Sequence, residues 1–202
     1  MTWKEDSSWE SNWWGNCLAT CYHETTKQLG TYAPKMGLKV VYDSQGPHIG
    51  VSGSILDVGG GPCSMTLLCS GFSNVVVLDP CDYPNWTMQR YSESGMTYIK
   101  DKGENILKIP EISSQIFDEV WIYNVLQHVE HPAKIVKNMR SVSKIIRIFE
   151  WVDTYIAKGH PNILTEKDLN QWLGGNGRVE DISENNCFGR CYYGIFKGNH
   201  YE

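Results

Sequence analysis

The sequence predicts an α/β fold in which strands and helices alternate about a mostly parallel sheet. Three observations carry this reading. Residues 54–67 run from an apolar strand (Ile55, Leu56, Val58) through three glycines, Gly59 to Gly61, into a short apolar helix around Met65, Leu67 and Leu68. Asn74 to Pro80 is a second apolar run, ending in Asp79, with the pattern of a strand buried on both faces. Asp79 follows Asp57 by 22 residues, the length of one strand–helix–strand unit.

The remaining elements follow in order. Gly95–Lys100 reads as a third strand, with Asp101, Gly103 and Glu104 after it. Val120–Tyr123 is a fourth, followed by a turn and a helix from Pro132 or Ala133, where proline suits the first helical turn. Lys134, Lys137 and Arg140 mark that helix's solvated face. Lys144–Trp151 is a fifth strand. Thr165, with Asp168 three residues on, caps a helix that Gly174, Gly175 and Gly177 stop. Arg178–Ser183 and Arg190–Lys197 are two closing strands. Ahead of the sheet, Leu18, Cys21, Tyr22, Thr25, Leu29 and Tyr32 recur at helical spacing, and Pro34 ends or kinks that helix. Trp3, Trp9, Trp13 and Trp14 precede it, too dense a tryptophan cluster to be left in water.

Composition narrows the function classes. A chain of 202 residues suits one domain, and 41% apolar with 20% charged residues makes it globular and not disordered. A net charge of −5 offers no broad basic surface for nucleic acid. No stretch is long and apolar enough to span a membrane, and the polar start from Met1 to Asp6 carries no signal peptide. Seven cysteines, an odd number without secretory context, are expected to be reduced thiols in a cytoplasmic protein. The sequon at Asn85 to Thr87 carries no meaning without secretion.

The glycine turn places bare backbone and helix-end N–H groups where a nucleotide-like ligand can lie. Asp57 would repel a pyrophosphate, whereas a carboxylate there can hold a cationic amino group, directly or through water. A carboxylate at the end of the second strand, Asp79, accepts hydrogen bonds from ribose hydroxyls. The alternative for Asp79 is a turn-forming Asp-Pro pair.

Asp57, Gly59 and Gly61 resemble the first motif of the class I S-adenosylmethionine-dependent methyltransferases, acid-x-Gly-x-Gly-x-Gly, with Cys63 replacing the last glycine. Phe117 to Pro132 is similar to the fourth-strand segment of the large group that includes the ubiquinone-biosynthesis enzymes. With the closing strand pair, the resemblance covers about residues 50–198. It implies a Rossmann-like, seven-stranded, mostly parallel sheet with an antiparallel C-terminal strand, helices on both faces and an N-terminal helical extension. Residues 1–38 would form the Trp-rich extension, either a lid over the pocket or a helix packed on the sheet; residues 39–202 would form one compact methyltransferase domain.

The implied cofactor is S-adenosylmethionine, leaving as S-adenosylhomocysteine. The resemblance sets it along Asp57, Gly59, Gly60, Gly61, Pro62, Asp79, Pro80, Glu104, Asn124, Val125 and Gln127. Glu104, with Asp101 as runner-up, would meet the adenine amino group; Asn124, Gln127 and His128 would face the sulfonium end. Methyl transfer is an in-line displacement that needs alignment above all, and a hydroxyl acceptor also needs a base. His128 is the first candidate, with His160 and Glu150 behind it; His131 matches no family position.

Tyr123-Asn124-Val125-Leu126 is not the Asn/Asp-Pro-Pro-Tyr that marks enzymes methylating amino groups of nucleic acid and glutamine. The carboxylate set of magnesium-dependent catechol enzymes is also missing, and no metal is expected. The expected acceptor is a small molecule or a glycan-like one, methylated on oxygen, nitrogen or carbon, with Val152–His160 as one pocket wall. Two alternatives remain. One is a protein that binds S-adenosylmethionine without transfer. The other is a nicotinamide-dependent oxidoreductase, disfavoured by Asp57 and by Ser64 where its fingerprint needs glycine or alanine. Cys17 and Cys21, with Cys187 and Cys191, would make a four-thiolate zinc site only if the two pairs met. Cys63 and Cys81 follow prolines, as does the nucleophile of cytosine-C5 methyltransferases, but after the first two strands and not the fourth, which excludes that role.

Overall fold

A computed structural model describes residues 3–44 and 46–201, with side chains from residue 8 onward; the Trp3 indole lies outside the described residues. The chain starts with α1 (Trp3–Trp14) and α2 (Leu18–Lys27), which passes through a wider π-turn at Gln28–Tyr32 into α3 (Ala33–Lys35). There follow β1 (Val40–Asp43), β2 (Gly46–Val58), β3 (Cys69–Leu78), α4 (Asn85–Glu93), β4 (Thr97–Ile99), α5 (Pro110–Ser113) and β5 (Phe117–Tyr123). Then come α6 (Pro132–Ser141), β6 (Ser143–Trp151), α7 (Glu166–Leu173), β7 (Arg178–Glu184) and β8 (Cys187–Lys197).

The sheet order is β4-β3-β2-β5-β6-β8-β7. Strands β2 to β6 pair in parallel, and β8 runs antiparallel to both β6 and β7. This is the expected seven-stranded sheet with an antiparallel closing strand. An eighth strand, β1, folds back on the first half of β2.

Alternate residues of each parallel strand feed opposite cores. Leu56, Val58, Val76, Leu78, Val120, Ile122, Ile146 and Ile148 pack on one face with Ile135, Val136 and Met139 of α6 and Leu169 and Leu173 of α7. Ile55, Val75, Val77, Trp121, Tyr123 and Phe149 pack on the other with Tyr32, Ala33, Met36 and Tyr91. Arg140 of α6 does not end in solvent, because its guanidinium donates to the carbonyl of Trp172 on α7.

Three expectations need correction. The helix anticipated after the glycine turn is a single 3-10 turn, Met65–Leu68, and β3 begins at Cys69. A parallel crossover usually carries a full helix over the sheet; here Tyr32, Ala33 and Met36 of the N-terminal helices pack on that face instead. Second, Pro34 does not itself end the helix: the regular α-helix gives way to the π-turn just before it, and Pro34 sits in the first turn of α3. Helix continues to Lys35 and stops at Gly37, φ +73°, where Leu38 N–H bonds back to Ala33 O. The inward face of α2 also differs from the apolar stripe: Leu18 and Tyr22 are 65% and 73% exposed, while Cys21, Glu24 and Gln28 are buried. That face looks onto a cavity, and so carries polar groups.

Candidate active site

β2, β3 and β5 lie side by side, and the chain leaves their C-terminal ends at Gly59, Asp79 and Asn124. Strand order reverses between β2 and β5, the position where open α/β sheets form a ligand crevice. A cavity of about 490 Å³ opens there, in the size range of small-molecule sites. It is lined by Gly59, Gly60, Gly61, Asp79, Pro80, Asn124, Val125, Gln127, His128 and His160, all anticipated from the sequence. Thr154, Tyr155 and Gly159 add the anticipated wall after β6.

Gly59 turns the chain at φ +76°, and a Cβ there would sit 2.4 Å from Val125 Cγ2, so only glycine lets the β2 and β5 loops touch. Gly61 N–H donates to Asp79 Oδ2 at 3.0 Å, while Asp79 Oδ1 accepts from Cys81 N–H at 2.9 Å and Tyr83 Oη at 3.0 Å. Burial raises the Asp79 carboxyl to about 6, against the pull of these donors. Asn124 takes φ +57°, and its Oδ1 accepts from Gln127 Nε2 at 2.9 Å. His128 Nδ1 lies 2.8 Å from Gly159 O, which fixes the hydrogen on Nδ1 and leaves Nε2 as the basic nitrogen, 3.3 Å from Gln127 Nε2. His160 meets the His128 ring edge-on at 4.5 Å; burial, and then the charge of His128, lower its pKa to about 4.

Five anticipated cofactor-binding or catalytic residues do not line the cavity. Asp57 is fully buried beneath the turn, where its Oδ2 accepts from Ser64 Oγ and from Tyr123 Oη at 2.7 Å, and burial raises it to about 7. Pro62 is buried. Glu104 accepts from His131 N–H at 2.9 Å and so caps α6; Asp101 accepts from Lys102 N–H and Asn105 Nδ2. Glu150 is fully buried, takes the N–H groups of Val125 and Leu126, and is raised to about 8 by burial. It positions the β5 loop and does not reach an acceptor.

The structure also adds residues the sequence reading did not single out. Glu10 of α1 lines the cavity, its Oε1 accepting from Trp14 Nε1 at 3.0 Å. Glu24, Lys27, Gln28 and Tyr32 enter from α2 and the π-turn; Trp151 and Asn186 to Arg190 enter from β6 and the last hairpin. The hairpin carried a readable signal. Asn185 and Asn186 have φ +50° and +61°, the two-residue turn that Asn-Asn favours. Cys17, Cys21 and Cys63 share one cluster and Cys187 and Cys191 another, and among the described residues no metal-ligating group of three or more His, Cys, Asp or Glu is formed.

Residues 56–145 match the model of a family described as a methyltransferase domain, and this stretch holds the glycine turn, Asp79 and the Asn124–His128 loop. Over this stretch the chain is similar to that methyltransferase-domain family. Solved structures share its fold. DhpI in complex with S-adenosylhomocysteine (SAH) superposes with a TM-score of 0.62 at 13% identity, covering 98% of both chains. The N-terminal domain of EvdMO1 with SAH and D-fucose gives 0.53 at 15%, covering 86% of this chain and 82% of that one. The plantazolicin methyltransferase BamL, with a triazolic desmethylPZN analogue and SAH, gives 0.52 at 14%, covering 97% and 91%. No curated protein sequence matches.

The cavity suits a cationic ligand. Glu10 Oε2 is buried without a hydrogen-bond partner at the cavity wall, and Asp79 is in no ion pair among the described residues. Buried carboxylates in that state favour a ligand that brings positive charge and donors.

Proposed function

We propose that this protein is a class I S-adenosylmethionine-dependent methyltransferase that methylates a small-molecule acceptor, glycan-like compounds included, with the cofactor in the arc of Gly59–Gly61, Asp79, Pro80, Asn124, Val125 and Gln127. The convergence of the β2, β3 and β5 loops on one cavity carries this reading. When bound, S-adenosylmethionine supplies an electrophilic methyl on a sulfonium. Asp79, already fixed by Gly61 and Cys81, accepts from the ribose hydroxyls, with Tyr83 yielding its place. The glycine turn brings backbone close enough to pack against the cofactor.

The acceptor lies toward Trp9, Tyr32, Trp151, His128 and His160. Aromatic walls bury a flat or ring-shaped molecule and hold it in line with the methyl, the main requirement of the displacement. His128 takes the proton of a hydroxyl acceptor at Nε2, with Nδ1 anchored on Gly159; His160, neutral at pH 7, is the second candidate. The D-fucose present with EvdMO1 and the desmethylPZN analogue in complex with BamL, two fold neighbours, agree with this acceptor class.

Residues 1–38 act as a lid, since Trp9, Glu10, Trp13 and Trp14 complete the cavity that residues 39–202 begin. Seven unbridged cysteines fit a reducing, cytoplasmic setting, and no described helix is long and apolar enough to cross a membrane. Calorimetric titration of S-adenosylmethionine, SAH and NAD into wild type and Asp79→Ala tests the site. Micromolar binding of the first two, lost in the variant, is expected; no binding of either, or preference for NAD, overturns it.

A further inference from the structure

Glu10 is the residue of the cavity whose surroundings least match its charge. It comes from α1, outside the β–α core, and its Oε1 is held by Trp14 Nε1 at 3.0 Å. Its other oxygen, Oε2, is buried, has no hydrogen-bond partner, and stands 3.5 Å from His128 Nδ1, a nitrogen whose hydrogen is directed to Gly159 O. No lysine or arginine forms an ion pair with Glu10 among the described residues. Lys27, on the same wall, is 3.2 Å from Glu24, and Arg190 is 3.5 Å from Asp153. Other acids stand nearby instead: Glu24 acts on Glu10, and Glu10 acts on Asp79, as like charges. Burial pushes Glu10 up to about 7, the state of a carboxylate that lacks a cation.

The end of the cavity beside Asn124, Gln127 and His128 is where the proposed placement puts the sulfonium. We propose that Glu10 is the counter-charge of that sulfonium, so that α1 selects the cationic methyl donor over its neutral product. The inference rests on the cofactor placement above. Methyl transfer breaks the sulfur–methyl bond, the bonding pair stays on sulfur, and the positive charge passes to the acceptor, which loses it with its proton. Glu10 then faces neutral sulfur. The attraction that held α1 over the donor is gone, which favours exchange of product for fresh donor. A ligand biases a lid only through such a difference in affinity between states.

The test compares the binding of S-adenosylmethionine, SAH and sinefungin, which carries an ammonium in place of the methylsulfonium, to wild type and Glu10→Gln at pH 8. Glutamine keeps the shape and the Trp14 hydrogen bond but carries no charge. Expected is a loss of about tenfold in affinity for both cationic ligands, about 1.4 kcal/mol, with SAH binding unchanged. Unchanged SAH binding also shows that the variant is folded. Equal weakening of all three ligands overturns the proposal, because Glu10 is then a packing residue. Weakening of S-adenosylmethionine alone overturns it too, since the methyl and not the charge is then sensed. If wild type binds none of them, the cofactor placement itself fails, a different result from any of these.

Discussion

Glu150 Oε1 accepts the backbone N–H groups of both Val125 and Leu126 at 3.0 Å, which makes a buried carboxylate on β6 the anchor of the loop after β5. Removing it leaves two buried donors unpaired. Glu150→Ala should cost about 2–4 kcal/mol in urea denaturation and weaken SAH binding by moving Asn124–His128. Glu150→Gln keeps an acceptor there and is neutral, as the raised carboxyl is at pH 7, so it should cost less than about 1 kcal/mol. An alanine variant as stable as wild type, or a glutamine variant as damaged as alanine, contradicts this role.

The three glycines of the turn should respond unequally to alanine. At Gly59 the new Cβ meets Val125 at 2.4 Å with φ already +76°; at Gly60 it meets Asp57 Oδ2 at 2.6 Å. At Gly61 the nearest atom, on Trp14, is 3.5 Å away, and only φ +63° is strained. Gly61→Ala is expected to cost about 1 kcal/mol, and each of the other two at least twice that. Equal urea midpoints for the three variants would show that the turn is not packed as described.

Trp14 joins the lid to the turn. It is 8% exposed, packs with Cys17, Cys21 and Cys63, and meets Tyr83 edge-on at 6.3 Å. Buried Trp→Ala changes cost about 3–5 kcal/mol, but this contact ties down one helix and not the sheet. Trp14→Ala should therefore speed hydrogen exchange in α1 and residues 59–63 and lower SAH affinity at least tenfold, with little change in melting temperature. A lower melting temperature with unaltered exchange in α1 would make Trp14 part of the global core.

Both the sheet and the loops that form the cavity were legible because they are local patterns. Apolar runs ending in Asp57, Asp79 and Tyr123 mark strands, and the residues just beyond them mark the crevice. What escaped depends on contacts distant in sequence. Nothing near Glu104 says that its carboxylate is taken by His131 N–H, 27 residues away, and nothing near Glu150 says the same of Val125. Asp57 stands at the motif position, yet Tyr123 and Ser64 hydroxyls enclose it. Glu10 was hidden among the tryptophans of α1, and the apolar stripe of α2 misreports its inner face, because a helix that borders a polar cavity buries polar residues.

Stability should fall as pH rises above neutrality. In the folded chain, burial raises Asp57 and Glu10 to about 7 and Glu150 to about 8. Unfolded, these carboxyls titrate near 4. Between those limits the native state binds more protons than the unfolded state, so raising the pH through the folded pKa values removes stability. His160, lowered to about 4, acts in the opposite sense, but only below its unfolded value of 6.5. The clean window therefore lies from about pH 6.5 to 8, where the loss should be on the order of 3 kcal/mol. Glu150→Gln should flatten the upper part of that curve, since the group titrating there is gone. Urea midpoints at half-unit pH steps measure this, and a midpoint that stays level or climbs across the window would show that these carboxylates are solvated in the apo protein.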